Sequence, residues 1–421
     1  MRILNVLFIL ITVSVLSSEP GDLLWKYMTG NKIYSSPWSD GDNISFGSHD
    51  YYIYTLKKDG SLKWKYLTQN EVYSSPRIKN ETVYEGSEDH FIYAVNINTG
   101  SLKWSYQTVS TVSSSPCIHN GAVYIGSDDT HLYSINENNG VLKWRYKADN
   151  CIGSTPLIVN EKIYFGDYSG YIYAINEDEG DLVWRYSTGS SIYSSACYLD
   201  NTIYIGNTDF FVYAIDISSG SLRWKFKTGA ETNSTPCAYK DKVFIGSYDK
   251  YMYAFNASDG SVNWRYPAQD KVHSSPFYKD DVVYFGSYDN YLYAVNASDG
   301  SLKWKYLAGG TLYSSPFVFD NIVYIGGLDN YLYAVETYKS MGFKSMTRKR
   351  ALPSNSIKSY PNPFTNTLFV ELQQDGAIYA LSGQLVRKIR KGNSRINTNN
   401  WIAGIYIIKS GTEARKMVKT W

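Results

Sequence analysis

The sequence has little of what metal-binding, redox and membrane-spanning proteins need. It contains 4 cysteines and 5 histidines among 421 residues, and no two cysteines are adjacent or spaced Cys-x-x-Cys. This argues against a structural zinc and against a redox motif of that spacing. Long runs of Ala, Leu and Glu are absent, which argues against a helical protein. After residue 16, no stretch is apolar enough to cross a membrane.

The first residues have the layout of a secretory signal peptide, which we place at 1–18. Arg2 supplies the positive charge, and Ile3 to Leu16 form an apolar stretch that ends in small residues. That stretch is shorter than the roughly 20 residues of a spanning helix. Because no cysteine lies near its end, we expect an exported chain without a lipid anchor.

The cysteines are even in number, which allows disulfides in an exported chain. However, one repeat position holds three of them, Cys117, Cys197 and Cys237. In other repeats this position is occupied by phenylalanine, as at Phe277 and Phe317. We therefore favour small buried hydrophobic residues over disulfide partners. The four cysteines are Cys117, Cys151, Cys197 and Cys237.

The sequence is rich in tyrosine, with 41 of 421 residues, and it has a tryptophan that recurs at a nearly constant interval. Aromatic and β-branched residues suit strands, so we expect an all-β protein. A 40-residue unit of short strands cannot bury its apolar face alone, and this period is typical of propeller blades. The tryptophans are spaced by 39 residues once and by 40 thereafter: Trp25, Trp64, Trp104, Trp144, Trp184, Trp224, Trp264 and Trp304.

One repeat contains four short strands, which in the seventh are 272–278, 282–286, 291–295 and 301–306. Eight Ser-Ser-Pro-like segments begin repeats, but no tryptophan strand follows the last third strand, 331–335. An unpaired tryptophan strand, 23–27, precedes the first repeat. We therefore predict an eight-bladed β-propeller over 19–336, in which the N-terminal strand completes the last blade.

The repeat body Val283-Tyr-Phe-Gly-Ser-Tyr-Asp-Asn-Tyr-Leu-Tyr-Ala-Val-Asn296 and its ending Gly300-Ser-Leu-Lys-Trp304 closely resemble the pyrroloquinoline-quinone-like propeller repeat. Relatives with this repeat include quinoprotein dehydrogenases and a non-catalytic propeller subunit of the outer-membrane β-barrel assembly machinery. The dehydrogenases add insertions, an adjacent Cys-Cys pair and a calcium site with a catalytic aspartate. None of these is present in this sequence, so we expect no enzyme activity, no cofactor and no metal. Pyrroloquinoline quinone and calcium belong only to the alternative, a quinoprotein oxidoreductase.

An aspartate recurs in the turn after the second strand and could suggest a ring of carboxylates. We favour a structural role, because Asp in short turns commonly binds backbone amides. The tryptophans are likewise interpreted as packing between blades and not as stacking platforms. The aspartates are Asp50, Asp89, Asp129, Asp209, Asp249, Asp289 and Asp329, with Ser169 at this place in the fourth repeat.

The position before Ser-Ser-Pro breaks the repeat pattern. If the first strand lines the channel, these residues surround one mouth and could hold a small polar ligand, a sugar or a peptide. From the sequence alone, we favour drift on an exposed rim, and a binding site is the alternative. The candidate binding residues are Tyr34, Tyr73, Tyr193, Asn233, His273 and Tyr313, with Ser113 and Gly153 completing the ring.

Charge separates two modules. Residues 21–336 carry 25 Lys and Arg against 35 Asp and Glu, whereas 337–421 carry 15 against 3. An acidic propeller argues against nucleic-acid binding. We interpret 337–358 as a basic linker and 359–421 as a small β-sandwich of short alternating strands.

The last 63 residues, 359–421, resemble the C-terminal sorting domain of the type IX secretion system of Bacteroidetes. A Tyr-Pro-Asn-Pro-Phe entry, a Leu-x-Gly-x-x-Val centre, a Gly-x-Tyr strand and a Lys-x-Val-Lys ending occur in order. The resemblance implies an address read by the outer-membrane translocon. The motif residues are Tyr360, Pro361, Asn362, Pro363, Gly383, Gly404, Tyr406, Lys416 and Lys419.

The sequence therefore predicts an exported, cell-surface or secreted propeller that acts as a monomeric, non-catalytic binding or scaffold module. The expected partners are a protein or glycan and, through the tail, the secretion translocon. A periplasmic scaffold for outer-membrane assembly is a further alternative, which conflicts with the missing lipid-attachment cysteine and with the sorting tail.

Overall fold

The computed structural model describes residues 19–338 and, in the C-terminal part, 357–360, 367–372, 375–380, 385–390, 392–397, 404–410 and 413–419. The chain divides into two compact units, one formed by the repeats and one by the C-terminal strands. The predicted signal peptide and most of the predicted linker lie outside the described residues. Within these residues, no helix has the length and hydropathy that a membrane span requires.

The repeats form strands β1–β32, which are numbered along the chain. β1 is Leu23–Met28. Blade 1 is β2–β5 (Trp38–Ser39, Asn43–Gly47, Tyr52–Lys57, Leu62–Leu67), blade 2 is β6–β9 (Arg77–Lys79, Thr82–Gly86, Phe91–Asn96, Leu102–Gln107) and blade 3 is β10–β13 (Cys117–His119, Ala122–Gly126, His131–Asn136, Leu142–Lys147). Blade 4 is β14–β17 (Leu157–Val159, Lys162–Gly166, Tyr171–Asn176, Leu182–Ser187) and blade 5 is β18–β21 (Cys197–Leu199, Thr202–Gly206, Phe211–Asp216, Leu222–Lys227). Blade 6 is β22–β25 (Cys237–Tyr239, Lys242–Gly246, Tyr251–Asn256, Val262–Pro267), blade 7 is β26–β29 (Phe277–Lys279, Val282–Gly286, Tyr291–Asn296, Leu302–Leu307) and blade 8 is β30–β32 (Phe317–Phe319, Ile322–Gly326, Tyr331–Glu336) together with β1.

Every blade is an antiparallel four-stranded sheet, and the ring is closed by the N-terminal strand. β1 pairs with β32, with Trp25 opposite Ala334 and Tyr27 opposite Leu332, so blade 8 has the strand order β1-β32-β31-β30. The prediction of eight blades closed by the first strand is confirmed. Closure matters because it leaves no blade with a missing outer strand.

The core lies between blades. Eight apolar clusters, one for each pair of neighbouring blades, are built mainly from the second and third strands, with fourth-strand tryptophans and residues that precede the first strands. The cluster between blades 8 and 1 joins Ile33, Phe46 and Tyr54 to Tyr324 and Leu332. Because each blade buries both faces, its central strands are almost continuously apolar, as expected for sheets that are covered on both sides.

The recurring tryptophans connect consecutive blades. The indole N–H of Trp64 donates to the Ile97 carbonyl at 2.7 Å, and equivalent bonds span 33 residues from six other tryptophans. The indole also packs on the hairpin glycine of the next blade. At Gly100 the backbone φ is +73°, and an added Cβ would lie 2.8 Å from the Trp64 ring. Gly21 takes this place against Trp304, which extends the contact across the closure.

The first strand of each blade is shorter than we predicted. The expectation for blade 7 was a strand from residue 272, but β26 begins at Phe277, after the Ser-Ser-Pro segment. The reason is that Ser275 directs its backbone N–H sideways to Ser315 of the next blade, and Pro276 has no N–H to give. The segment therefore connects blades along the channel and does not extend the sheet.

The C-terminal unit contains two antiparallel sheets. The first comprises β33 (Ile357–Tyr360), β34 (Thr367–Leu372) and β37 (Gly392–Asn397), and the second has the order β36-β35-β38-β39. These strands are Leu385–Ile389, Gly376–Ala380, Gly404–Ser410 and Glu413–Lys419. Buried isoleucines come from both sheets, Ile396 from the first and Ile378, Ile389 and Ile408 from the second. β33 begins at Ile357, inside the predicted linker 337–358.

Candidate functional site

The first strands and the segments before them surround a central channel of about 760 Å³. Its walls have three levels, because each segment runs along the channel in the same direction. In blade 1 these levels are Tyr34, then Ser36, then Trp38; every other blade contributes the upper two positions, and all but blades 5 and 6 contribute the lower one. A cavity of this volume is in the range that accommodates small molecules.

The middle level is a ring of hydroxyl groups. The backbone N–H of Ser36 donates to the Ser75 hydroxyl at 2.9 Å, and the same bond links six further pairs of neighbouring blades, including Ser315 to Ser36 across the closure. Each of these hydroxyl oxygens accepts one N–H. Its own O–H therefore remains available to donate into the channel.

The upper level holds all six predicted binding residues, which the structure brings together at one mouth. Tyr34 stacks on Tyr73 with ring centroids 5.4 Å apart and contacts Tyr313 edge-on at 4.9 Å. The hydroxyls of Tyr73 and Tyr313 share a hydrogen bond. His273 packs on Tyr313 at 3.9 Å. These rings fill one side of the mouth, whereas Tyr193, on the other side, is 47% exposed.

A second ring of side chains at this mouth was missed from the sequence. It consists of the residue after each Gly-Ser-like turn, and Tyr168 and Tyr248 of this ring line the channel. Tyr168 packs on Tyr193 at 4.5 Å, and the Tyr248 hydroxyl bonds His273 Nδ1 at 2.8 Å. The signal was present, because this position changes from blade to blade just as the first ring does.

The mouth is chemically asymmetric, with aromatic rings on most blades and a cluster of carboxylates on blades 2 and 3. Glu88 lines the channel close to Glu71 and Asp128. Burial and then these two charges raise the pKa of Glu88. Burial lowers the pKa of His273 to about 4, so its imidazole is neutral at physiological pH, and its Nδ1 shares a hydrogen bond with the Tyr248 hydroxyl. Such a mouth offers stacking surfaces beside an acidic patch.

The lower level is apolar on most blades, with Trp38, Leu157, Phe277 and Phe317 among its residues. Blade 2 differs, because Arg77 occupies this position. Its guanidinium lies over the Trp38 ring, 4.1 Å from the centroid. Sequence reasoning did not single out Arg77, although it interrupts an apolar repeat position.

The recurring aspartates make contacts between and within blades. Asp89 accepts the Tyr93 hydroxyl at 2.7 Å and the Gln69 N–H of the preceding blade at 2.8 Å. In blade 4, where Ser169 replaces the aspartate, Asp167 performs this task from two residues earlier: it accepts the Tyr173 hydroxyl at 3.0 Å. The carboxylates are therefore engaged in the turns, and they do not line the channel.

The presence of Asp167 and Ser169 in blade 4, in place of the usual serine and aspartate, gives a stability prediction. The Asp167→Ser variant is expected to lose about 1–3 kcal/mol of unfolding free energy, because the buried Tyr173 hydroxyl loses its acceptor. The double variant Asp167→Ser, Ser169→Asp recreates the arrangement of the other blades and should recover most of the loss. Urea unfolding of the three proteins measures both effects. A double variant no more stable than the single one would contradict the exchange of roles.

All four cysteines are free thiols. Cys117, Cys197 and Cys237 begin inner strands, and burial raises the pKa of each. Cys151 lies near the mouth, where its Sγ donates to the Asp128 carbonyl at 3.2 Å. In the described part of the chain, no group of three or more His, Cys, Asp and Glu side chains is placed to hold a metal ion.

Of the predicted sorting residues, Tyr360 ends β33, Gly404 and Tyr406 lie in β38, and Lys416 and Lys419 lie in β39. Pro361, Asn362, Pro363 and Gly383 fall outside the described residues. The backbone therefore places the Gly-x-Tyr and Lys-x-Val-Lys motifs on two neighbouring strands, with Tyr406 opposite Met417.

A closed, channel-bearing ring of near-identical blades with an unlike C-terminal unit is the class of protein that the structure defines. Two sequence families match the ring: "Beta-alanine-activating enzyme, beta-propeller" over residues 12–243 and "Outer membrane protein assembly factor BamB" over residues 170–384. A third, "Secretion system C-terminal sorting domain", matches residues 358–421. No curated protein sequence matches the chain.

Solved structures share the fold. BamB from Moraxella catarrhalis has a TM-score of 0.66 at 16% identity, covering 75% of this chain and 99% of its own. The computationally designed Ika8 protein has a TM-score of 0.68 at 16% identity, covering 76% and 100%. At this identity the likeness concerns the fold alone.

Each of the two propeller matches spans more than half of the 421 residues. The chain belongs to the pyrroloquinoline-quinone-like propeller family that includes the outer membrane protein assembly factor BamB, and it ends in a secretion system C-terminal sorting domain. It is an exported propeller protein, and both resemblances seen in the sequence are confirmed.

Proposed function

We propose that this protein is a non-catalytic binding module, displayed on the cell surface or secreted, which recognises a protein or glycan at the aromatic mouth of its channel. The C-terminal domain delivers it through the secretion translocon. The observation that carries this proposal is the departure from symmetry at the mouth: an almost regular ring varies at the position of Tyr34 and His273 on one side of the mouth and of Tyr193 on the other.

The chemistry of the mouth supports recognition of this kind. Exposed aromatic faces such as Tyr193 stack on sugar rings or on peptide side chains, and Asn233, His273 and Glu88 supply hydrogen bonds. Tyr193 and its partner Tyr168 stand on the side of the mouth that the Tyr34–Tyr73–Tyr313 cluster leaves uncovered. A ligand therefore has a rigid aromatic wall on one side and an accessible tyrosine on the other.

The binding prediction uses the Tyr193→Ala variant. The full chain without its signal peptide is screened on a glycan array and a peptide array, and the affinity for the best ligand is then measured by calorimetry. We expect Tyr193→Ala to weaken binding about five- to tenfold, since an aromatic contact contributes roughly 1 kcal/mol. Tyr239→Ala is the matched control, because Tyr239 is also a stacked, exposed tyrosine but lies beyond the lower level of the channel.

Two results would contradict the proposal. One is that Tyr193→Ala binds the ligand as tightly as the unaltered protein while Tyr239→Ala binds it more weakly. The binding surface would then lie away from the mouth. The other is turnover of an alcohol or sugar with added pyrroloquinoline quinone and calcium, which would establish the oxidoreductase alternative. Protease treatment of intact cells tests the location, because a surface protein is cleaved and a periplasmic scaffold is protected.

A further inference from the structure

The lower level of the channel contains a cation without a carboxylate partner. Arg77 stands where other blades have Trp38, Leu157, Phe277 or a similar uncharged residue. One of its five N–H groups donates to the Pro76 carbonyl at 3.2 Å. Over the described parts of the chain, no acidic side chain lies within ion-pair distance of it. Four guanidinium donors are therefore left for another acceptor.

The surroundings bury part of the Arg77 side chain, and the rest of it faces the channel. Trp38 covers one face of the guanidinium, and the Cys117 thiol is close enough for the Arg77 charge to hold back the burial-driven rise in its pKa. Burial lowers the pKa of Arg77 itself, yet an arginine remains charged at physiological pH. Enclosing a charge is unfavourable unless hydrogen bonds or an opposite charge compensate it.

The level above Arg77 adds further donors. Ser36, Ser75, Ser115 and their equivalents line the channel, and seven of the eight hydroxyls already accept a backbone N–H from a neighbouring blade. Their remaining O–H groups can donate to a ligand. Among the residues that line the cavity in the described chain, Glu88 is the one acidic side chain, and it belongs to the mouth. The interior thus combines one cation with a ring of donors.

We propose that this interior is an anion site, in which Arg77 binds the carboxylate of a small hydroxylated organic acid such as a uronic acid. The guanidinium pairs with the carboxylate through two parallel N–H donors, the geometry that arginine favours. The hydroxyl ring donates to the remaining oxygens, and Phe277 and Phe317 offer apolar surfaces to a sugar ring at the same level. This site is separate from the mouth and does not depend on the function proposed there.

The test measures binding of D-glucuronate and D-galacturonate to the full chain without its signal peptide, with D-glucose and D-galactose as neutral matches. By calorimetry we expect each acid to bind at least tenfold more tightly than its neutral counterpart. Arg77→Met should abolish that difference while keeping the apolar packing on Trp38. Arg265→Met is the matched control, because Arg265 also lies over an aromatic ring, 4.5 Å from the centroid of Tyr251, but outside the channel.

Thermal unfolding checks that Arg77→Met is folded, and we expect its midpoint without ligand to equal or exceed that of the unaltered protein, because a partly buried charge has been removed. Equal affinity for acids and neutral sugars would overturn the proposal. So would acid binding that survives Arg77→Met, or inorganic phosphate binding more tightly than both acids.

Discussion

Glu85→Ile is expected to raise the free energy of unfolding by roughly 1–3 kcal/mol at pH 7, a stabilising effect from a single side chain. Glu85 lies in β7 at the position of Phe46, Ile125 and Phe165, and its exposure is 0%. Neither carboxylate oxygen makes a hydrogen bond of normal geometry within the described residues. The Ser35 hydroxyl, already engaged by the Gly47 N–H, offsets only part of the burial.

The pH dependence follows from the direction of the pKa shift. Burial raises the pKa of Glu85 well above its ordinary value, so the folded protein holds a proton that the unfolded chain has released at the same pH. Stability therefore falls as pH rises from the ordinary glutamate range toward the raised pKa. The advantage of Glu85→Ile should be smallest near pH 4 and should grow toward pH 8 in urea unfolding experiments.

Glu85→Gln separates the charge from the polarity, because it keeps the shape and cannot ionise. We expect Glu85→Gln to remove the contribution of this carboxyl to the pH dependence of the unfolding free energy. It should stabilise the protein less than Glu85→Ile does, since a polar amide stays buried. A difference between Glu85→Ile and the unaltered protein that is constant from pH 4 to pH 8 would contradict the assignment of an ionisable, unpaired carboxyl.

The second large effect concerns the closing strand. Deleting residues 19–28 is expected to cost several kcal/mol, a large part of the 5–15 kcal/mol typical of a folded domain. The deletion removes the Trp25 indole, which bonds the Lys58 carbonyl at 3.1 Å, and it uncovers β32. Trp25 is partly buried against the cluster between blades 8 and 1, so loss of its packing adds up to about 3 kcal/mol. The exposed edge should also promote aggregation.

Circular dichroism melting and light scattering measure these two consequences. A synthetic peptide of residues 19–28, added in trans, should restore stability by adding a strand to β32. The control variant Leu24→Lys, Met28→Lys changes exposed side chains of β1, of which Met28 is 62% exposed, and should unfold like the unaltered protein. A deletion variant that melts normally without the peptide would show that closure contributes little.

Much of the fold was predictable because the repeat occurs eight times in the sequence. The tryptophan interval, the hairpin glycines and the count of Ser-Ser-Pro segments specify blade number and closure, and Trp25 pairing beside β32 follows from them. The length of the first strand was not predictable. Whether Ser275 bonds within its own sheet or to Ser315 of the next blade depends on how close the blades approach along the channel.

The site was only partly predictable. The ring of Tyr34, Tyr73 and Tyr313 could be named because those residues vary at one repeat position, yet their packing into a cluster requires positions from separate blades to meet. Arg77 and Glu85 also interrupt apolar positions of the repeat, and this signal went unused. The roles of Arg77 and Glu85 depend on the side chains around them. Comparing the repeats along the sequence does not reveal those neighbours.

The sequence by itself determined the modular plan: eight four-stranded repeats that must close on themselves, followed by a sorting domain. Periodicity is enough for this, because a short-strand unit with two apolar faces has to stack. The tertiary structure alone decided which irregular side chains meet. Around a ring, residues 40 or more positions apart become neighbours, so the aromatic mouth, the hydroxyl ring and Arg77 share one channel only after closure.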